Sequence, residues 1–175
     1  MRSSRYLLFL LLLTCCGPSG SNNSQSSDYK NSFYNTSFIA LIPFNERGNL
    51  FDKDCKSVNL TQEDFKNIDS LLNKFISDYN LIKEKEFENV NSQRPELKIS
   101  KSYFIIDLKR YKRQYIAVVN PKGEKEVWIN CGCGFSEESW KHSRISVEDG
   151  GNCYFNLKIN LFKKIVYDFM VNGVA

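Results

Sequence analysis

The chain of 175 residues holds one histidine, two methionines and two tryptophans. With His142 the sole histidine, a nucleophile–base pair of the cysteine–histidine type would take Cys133 with His142, though the polar context of Trp140 to Ser143 favours a surface histidine. No P-loop, dinucleotide fingerprint, HExxH helix or nucleophile elbow is present, so the commonest nucleotide-dependent and hydrolytic classes lack their signature. Asp149-Gly150-Gly151-Asn152 lacks the spaced carboxylates of a calcium loop and reads as a tight turn. The longest apolar run, Tyr6 to Leu13, falls far short of the ~20 residues that span a bilayer. Nor is there a strong excess of charge. The formal +4 leaves 22 basic against 20 acidic residues once Arg2 and Arg5 are set aside, and so weak a balance argues against a nucleic-acid partner.

What is there begins with an export signal. Arg2 and Arg5 precede the short apolar run, and Cys15 and Cys16 follow it at once. This arrangement resembles a bacterial lipoprotein signal, in which Cys16 or Cys15 would be acylated. Residues 1–16 are therefore expected to be a signal with an acceptor cysteine, residues 17–36 a flexible tether, and residues 37–175 a single domain. The tether reading rests on a Ser, Asn, Gly and Gln composition that cannot bury enough surface to fold. Sequons at Asn35 and Asn59 favour a secreted eukaryotic protein instead, but such matches are common in an Asn-rich chain.

Within the domain, apolar alternation predicts strands near Ser37–Phe44, Phe104–Leu108, Ile116–Val119, Glu126–Cys133, Asn152–Leu161 and, less cleanly, Ile165–Val171. The last two form a hairpin. Thr61 is the N-cap of an amphipathic helix whose stripe runs Phe65, Ile68, Leu72, Phe75, Ile76 and Tyr79 over about six turns. A loop is expected from Glu84 to Ser100. The fold is thus α+β, one long helix packed on a twisted antiparallel sheet of about four to six strands. A cystatin-like arrangement is one version, resting on element order alone.

Lys109 to Tyr115 interleaves basic and aromatic residues and reads either as a charged edge strand or as a partner-facing surface. With Trp140 and His142, the residues Tyr111, Arg113 and Tyr115 make the candidate binding surface. Cys55, Cys131, Cys133 and Cys153 are disulfide candidates in an exported chain, with Cys131–Cys153 the first choice because both point to the apolar side. A zinc site built from these sulfurs with His142, or a redox pair Cys131/Cys133, are weaker readings. No metal and no cofactor is expected.

Tyr111 to Ala175, anchored by Arg113–Ile116, Glu126–Cys131 and Asp149–Asn156, resembles uncharacterised putative lipoproteins of Bacteroidota, as does the Leu60-Thr61 helix start. The resemblance implies no known activity. Gly132 stands where such proteins carry a bulkier residue. The function expected is that of a non-catalytic envelope lipoprotein, facing the periplasm or the cell surface. It would bind a protein or other ligand through its sheet or the Gly132–Ile145 loop, and its partners would be the bilayer and an envelope protein. A thiol-dependent redox protein using Cys131/Cys133 is the alternative.

Overall fold

Thr61 starts the helix as its sequence demands. In the computed structural model, which describes residues 34–135 and 138–173, helix α1 spans Gln62–Gln93. Thr61 Oγ1 accepts the Asp64 N–H at 3.2 Å, and Asp64 Oδ2 accepts the Thr61 N–H at 2.7 Å, so two otherwise orphaned donors are satisfied reciprocally. Lys125 Nζ lies 2.5 Å from the same Oδ2 and ties the helix start to the sheet. Burial opposes ionisation of Asp64, yet the bonds from Lys125 and Thr61 outweigh it and hold the carboxyl below its ordinary range. Phe65, Ile68, Leu72 and Ile76 are buried, each contributing about 1.5–3 kcal/mol before entropy is counted.

The helix extends well past the expected six turns, so the segment expected to loop from Glu84 is helical as far as Gln93. Good helix formers fill that stretch, Lys83 pairs with Glu86 at 2.6 Å, and Phe87 packs edge-on against Phe104. It ends where Pro95 bars its neighbour from the helical region; Arg94 has φ −137°.

Among the described residues six strands form one sheet: β1 Ile39–Leu41, β2 Lys56–Ser57, β3 Lys112–Val119, β4 Lys125–Gly132, β5 Tyr154–Asn160 and β6 Ile165–Val171. Their order is β1-β3-β4-β5-β6, with β2 also against β3. The sheet is mixed rather than wholly antiparallel, because β1 runs parallel to β3. β3 is interior, flanked by β1 and β2 on one side and β4 on the other, which corrects the expectation of a charged edge strand.

Odd-numbered residues of β3, β4 and β5 face the helix, and Tyr115, Val127, Ile129, Cys131, Phe155, Leu157 and Ile159 join the helix stripe in one buried cluster. The even-numbered residues look the other way. There Ile116 and Trp128 meet Ala40, Ile42, Phe135 and Trp140 in a second cluster, with Leu50, Phe51 and Ile145 packed against it. β6 changes parity midway. A bulge leaves Lys158 opposite Tyr167 but Asn156 opposite Met170, and Asp168 adopts φ +50° between them. Phe169 is thereby turned onto the helix side, against Phe75, Tyr79 and Phe155.

The strand expected at Phe104–Leu108 does not form; short 3-10 turns at Lys101–Tyr103 and Leu108–Arg110 flank that segment. Ile106 is buried there, and its backbone is satisfied by a side chain in place of a neighbouring strand. Asn80 Nδ2 donates to the Ile106 carbonyl at 2.8 Å and Asn80 Oδ1 accepts the Ile106 N–H at 2.9 Å. Apolar alternation marks which side chains are buried, and Asn80 supplies the pairing that would otherwise need a ladder. Asn80→Ala should therefore lower stability by about 2–4 kcal/mol in urea denaturation, since both Ile106 groups lose their partner; a loss below ~0.5 kcal/mol would contradict the account.

Candidate functional site

Gln114 decides the shape of the sheet face turned away from the helix. Its side chain is fully buried; Nε2 donates to the carbonyls of Trp140 at 2.6 Å and Ser143 at 2.7 Å, and Oε1 accepts the Ile145 N–H at 2.9 Å. Asn130, on the neighbouring strand, donates to Gln114 Oε1 at 3.0 Å and to the Ile145 carbonyl at 2.9 Å. Two amides thus hold the 140–145 segment against the sheet and satisfy the loop backbone that they bury. Beyond the covered part, β4, β5 and β6 present polar side chains in two clefts, with Leu50 lining both.

The larger cleft, about 610 Å³, lies where the β3–β4 turn meets β5 and β6. Asn120 Nδ2 reaches Glu124 Oε2 at 3.1 Å and Glu126 Oε1 at 2.9 Å, and Asn160 Nδ2 reaches the same two oxygens at 2.8 and 3.1 Å. The hydrogen bonds from Asn160, Lys163 and Asn120 hold Glu124 below the usual carboxylate range, so it is an anion at neutral pH rather than a general acid. Lys158 Nζ stands 5.3 Å from the Phe51 ring centre, 5.8 Å from that of Tyr167, and 3.0 Å from Asp168 Oδ2. Burial and then the hydrogen bond to Glu126 raise the Tyr167 hydroxyl, which stays protonated. Cys55 also lines this cleft as a free thiol. Burial raises its pKa, as do the charges of Glu126 and Asp52, so it is a poor nucleophile. The cleft offers charges of both signs beside aromatic faces, a set suited to holding a polar ligand.

The smaller cleft, about 180 Å³, is bounded by Trp128 and Asn130 of β4, Asn156 of β5 and the Arg144–Val147 segment. Among the described residues, no Asp or Glu lines it. Trp128 is only 5% exposed, and its indole N–H meets no acceptor among the described residues. A buried donor without a partner costs about 1–3 kcal/mol.

The five residues of the expected binding surface do not assemble. Tyr111 and Tyr115 are buried on the helix side, where Tyr111 donates its hydroxyl to the Asn152 carbonyl at 2.7 Å. Arg113, on that side too, pairs with Asp69 at 3.1 Å. Trp140 is buried on the opposite face, and His142 is exposed in the loop beyond it. The aromatic spacing of 111–115 belongs to a core-facing strand.

Cysteine pairing differs as well. Cys133 bonds Cys153, with Cα atoms 5.1 Å apart, while Cys131 and Cys55 are free and buried. Cys131, Cys133 and Cys153 share parity, but register decides among them: Cys131 lies opposite Phe155 and Gly132 opposite Tyr154, which leaves Cys133 facing Cys153. Closing this loop is worth about 3 kcal/mol in the chain-entropy model. It also takes two sulfurs from the zinc grouping, and among the described residues no cluster of three His, Cys, Asp or Glu side chains is placed to hold a metal. Cys131 and Cys133 do not form a redox pair here. Gly132 is required by packing, since a Cβ at that position would fall 2.4 Å from the Phe135 ring.

The residues that build the clefts went unmarked in sequence, though a signal existed: Tyr154, Asn156, Lys158 and Asn160 occupy the parity opposite the core on β5. Acylation of Cys15 or Cys16 concerns residues outside those described.

Burial pushes the Cys131 thiol from the ordinary 9.0 up to about 12. The unfolded chain therefore loses this proton first as pH rises, and stability contributed by Cys131 is complete below pH 9 and declines above it, by about 1.4 kcal/mol per pH unit toward pH 12. Urea titrations between pH 8 and 10 should show this decline, and Cys131→Val should flatten it; an equal slope in the variant would contradict the burial. No protein-family model, no curated protein and no solved structure matches this chain.

Proposed function

We propose that the domain is a non-catalytic binding module, held at the outer side of a bacterial membrane by an acylated Cys16 or Cys15, and that it takes its ligand on the sheet face turned away from the helix. The observation that carries the reading is the larger cleft. Lys158, Phe51, Tyr167 and the amide-bridged Glu124 and Glu126 there present charge of both signs and aromatic faces together. Such a set binds by hydrogen bonds, ion pairing and stacking, and Glu124, Tyr167 and Cys55 are each held in a state unsuited to proton transfer at neutral pH. The anchor is supported by the Arg2–Arg5 and Tyr6–Leu13 pattern before the two cysteines, and by the polar tether that follows. An envelope protein is the partner this placement favours.

The test combines intact mass with site-specific photo-crosslinking. The full chain, made in a bacterium that acylates lipoproteins, should be recovered from membranes with diacylglycerol mass on one cysteine, and the Cys15→Ser, Cys16→Ser double variant should be released. A photoreactive phenylalanine analogue at Phe51 should give a discrete covalent adduct in intact cells; the same analogue at Glu88, on the exposed side of α1, should not. Equal adducts at both positions would remove the assigned face, and an unacylated protein in the soluble fraction would remove the anchor.

A further inference from the structure

We propose that the larger cleft is a saccharide site, in which the hydroxyl groups of a neutral sugar bridge the carboxylates and ammonium groups of the lining while its C–H surface packs on Phe51 and Tyr167. The inference rests on the preceding reading and names the class of ligand that the cleft takes.

Charge balance excludes the simpler ligands. Asp52, Glu124 and Glu126 line the cleft together with Lys122, Lys158 and Lys163, so the formal charges of its described lining cancel. An ion of either sign would meet as much repulsion as attraction. A zwitterion would have to displace contacts already made, because Lys163 stands 3.1 Å from Glu124 Oε2 and Lys158 stands 3.0 Å from Asp168 Oδ2. Hydroxyl groups carry no charge and both donate and accept, so they add to such pairs without breaking them.

The lining is fixed, yet part of it is open. Asn120 and Asn160 each direct Nδ2 at Glu124 Oε2 and Glu126 Oε1, which holds the two carboxylates side by side. Asp52 and Glu126 both lie near enough to Cys55 for their charges to act on its thiol, and Tyr167 bonds Glu126, so these groups border one space. Asp52 and Lys122 are exposed there, and neither side chain has a partner among the described residues. They offer a free acceptor and a free donor to hydroxyl groups.

Aromatic surface and size agree with a sugar ring. Lys158 Nζ stands 5.3 Å from the Phe51 ring centre and 5.8 Å from that of Tyr167, so two half-buried rings flank one point. The ring surface they leave exposed is flat and apolar, and suits the C–H face of a pyranose. A volume of about 610 Å³ lies within the range of small-molecule sites and accommodates a mono- or disaccharide. The sugar is either free or the end of a glycan on an envelope component.

The experiment reads fluorine magnetic resonance from 4-fluorophenylalanine placed at position 51 of the full chain with Cys15→Ser and Cys16→Ser, and from the same label at position 88 as control. Probes are the methyl glycosides of glucose, galactose, mannose and N-acetylglucosamine, with cellobiose and diacetylchitobiose, each titrated to about 100 mM, well past millimolar affinities. Glucuronate and glucosamine, at constant ionic strength, supply the charged comparison. The expected result is a saturable shift at position 51 with at least one neutral sugar, none at position 88, and no tighter binding of either charged sugar. At least one of Asp52→Ala and Lys122→Ala should weaken that binding about threefold to tenfold. No saturable shift with any neutral sugar, an equal shift at position 88, tenfold tighter binding of glucuronate or glucosamine, or unchanged affinity in both variants would overturn the assignment. In cells, a small adduct at Phe51 would mark a free sugar, and a large one removed by glycosidase an attached glycan; either carries the proposal. A glycosidase-resistant polypeptide adduct with no response to sugars would sink the saccharide assignment alone, whereas no adduct and no response would sink the binding face as well.

Discussion

A single buried amide, that of Gln114, determines which part of this sheet the 140–145 loop covers and which part it leaves open. A fully buried polar side chain in the middle of an interior strand is costly unless each of its groups is used. Here Nε2 is spent on two loop carbonyls and Oε1 on a loop N–H and on Asn130. The same bonds pay for burying the 140–145 backbone, so loop and strand satisfy one another. Arg144 and Ile145, which wall the smaller cleft, are placed by that exchange.

The two faces of the sheet divide the work. The helix side is closed and apolar, with the capping box at Thr61 and the Lys125–Asp64 pair fixing where the helix lands on β4. The other side is closed only over β1, β3 and part of β4. Beyond Trp128 it turns polar, and the bulge at Asp168 brings Tyr167 beside Lys158 while keeping Phe169 in the core. One extra residue in β6 therefore serves packing and cleft together. The Cys133–Cys153 bond joins the facing ends of β4 and β5 next to this region and bounds the loop that Gln114 pins. Tight glycine packing there has the same origin: Phe135 fills the space over Gly132, and Tyr154 the space beside Gly134.

Much of the helix side was legible in sequence because its signals are local. Thr61 and Asp64 stand three residues apart, the stripe from Phe65 to Tyr79 follows the helical period, and β5 alternates without a break. The failures each involve a contact between distant residues. Alternation around Ile106 predicts a strand, because nothing in the sequence marks Asn80, 26 residues earlier, as its partner. β6 looked irregular since its bulge reverses parity after Tyr167. The basic-aromatic run suggested a surface, but its position between β1 and β4 turns Tyr111 and Tyr115 into core residues.

By itself the sequence determined the α+β class, the helix start and the faces of β4 and β5. These follow from chemistry within a few residues, where period, capping and composition act directly. Tertiary structure alone decided that Cys133 and not Cys131 meets Cys153, that β1 runs parallel, and that Trp128, Arg144 and Asn156 surround one space. Parity states which way a side chain points and leaves open what stands opposite. That depends on strand register and loop docking, which are set by packing across the whole domain.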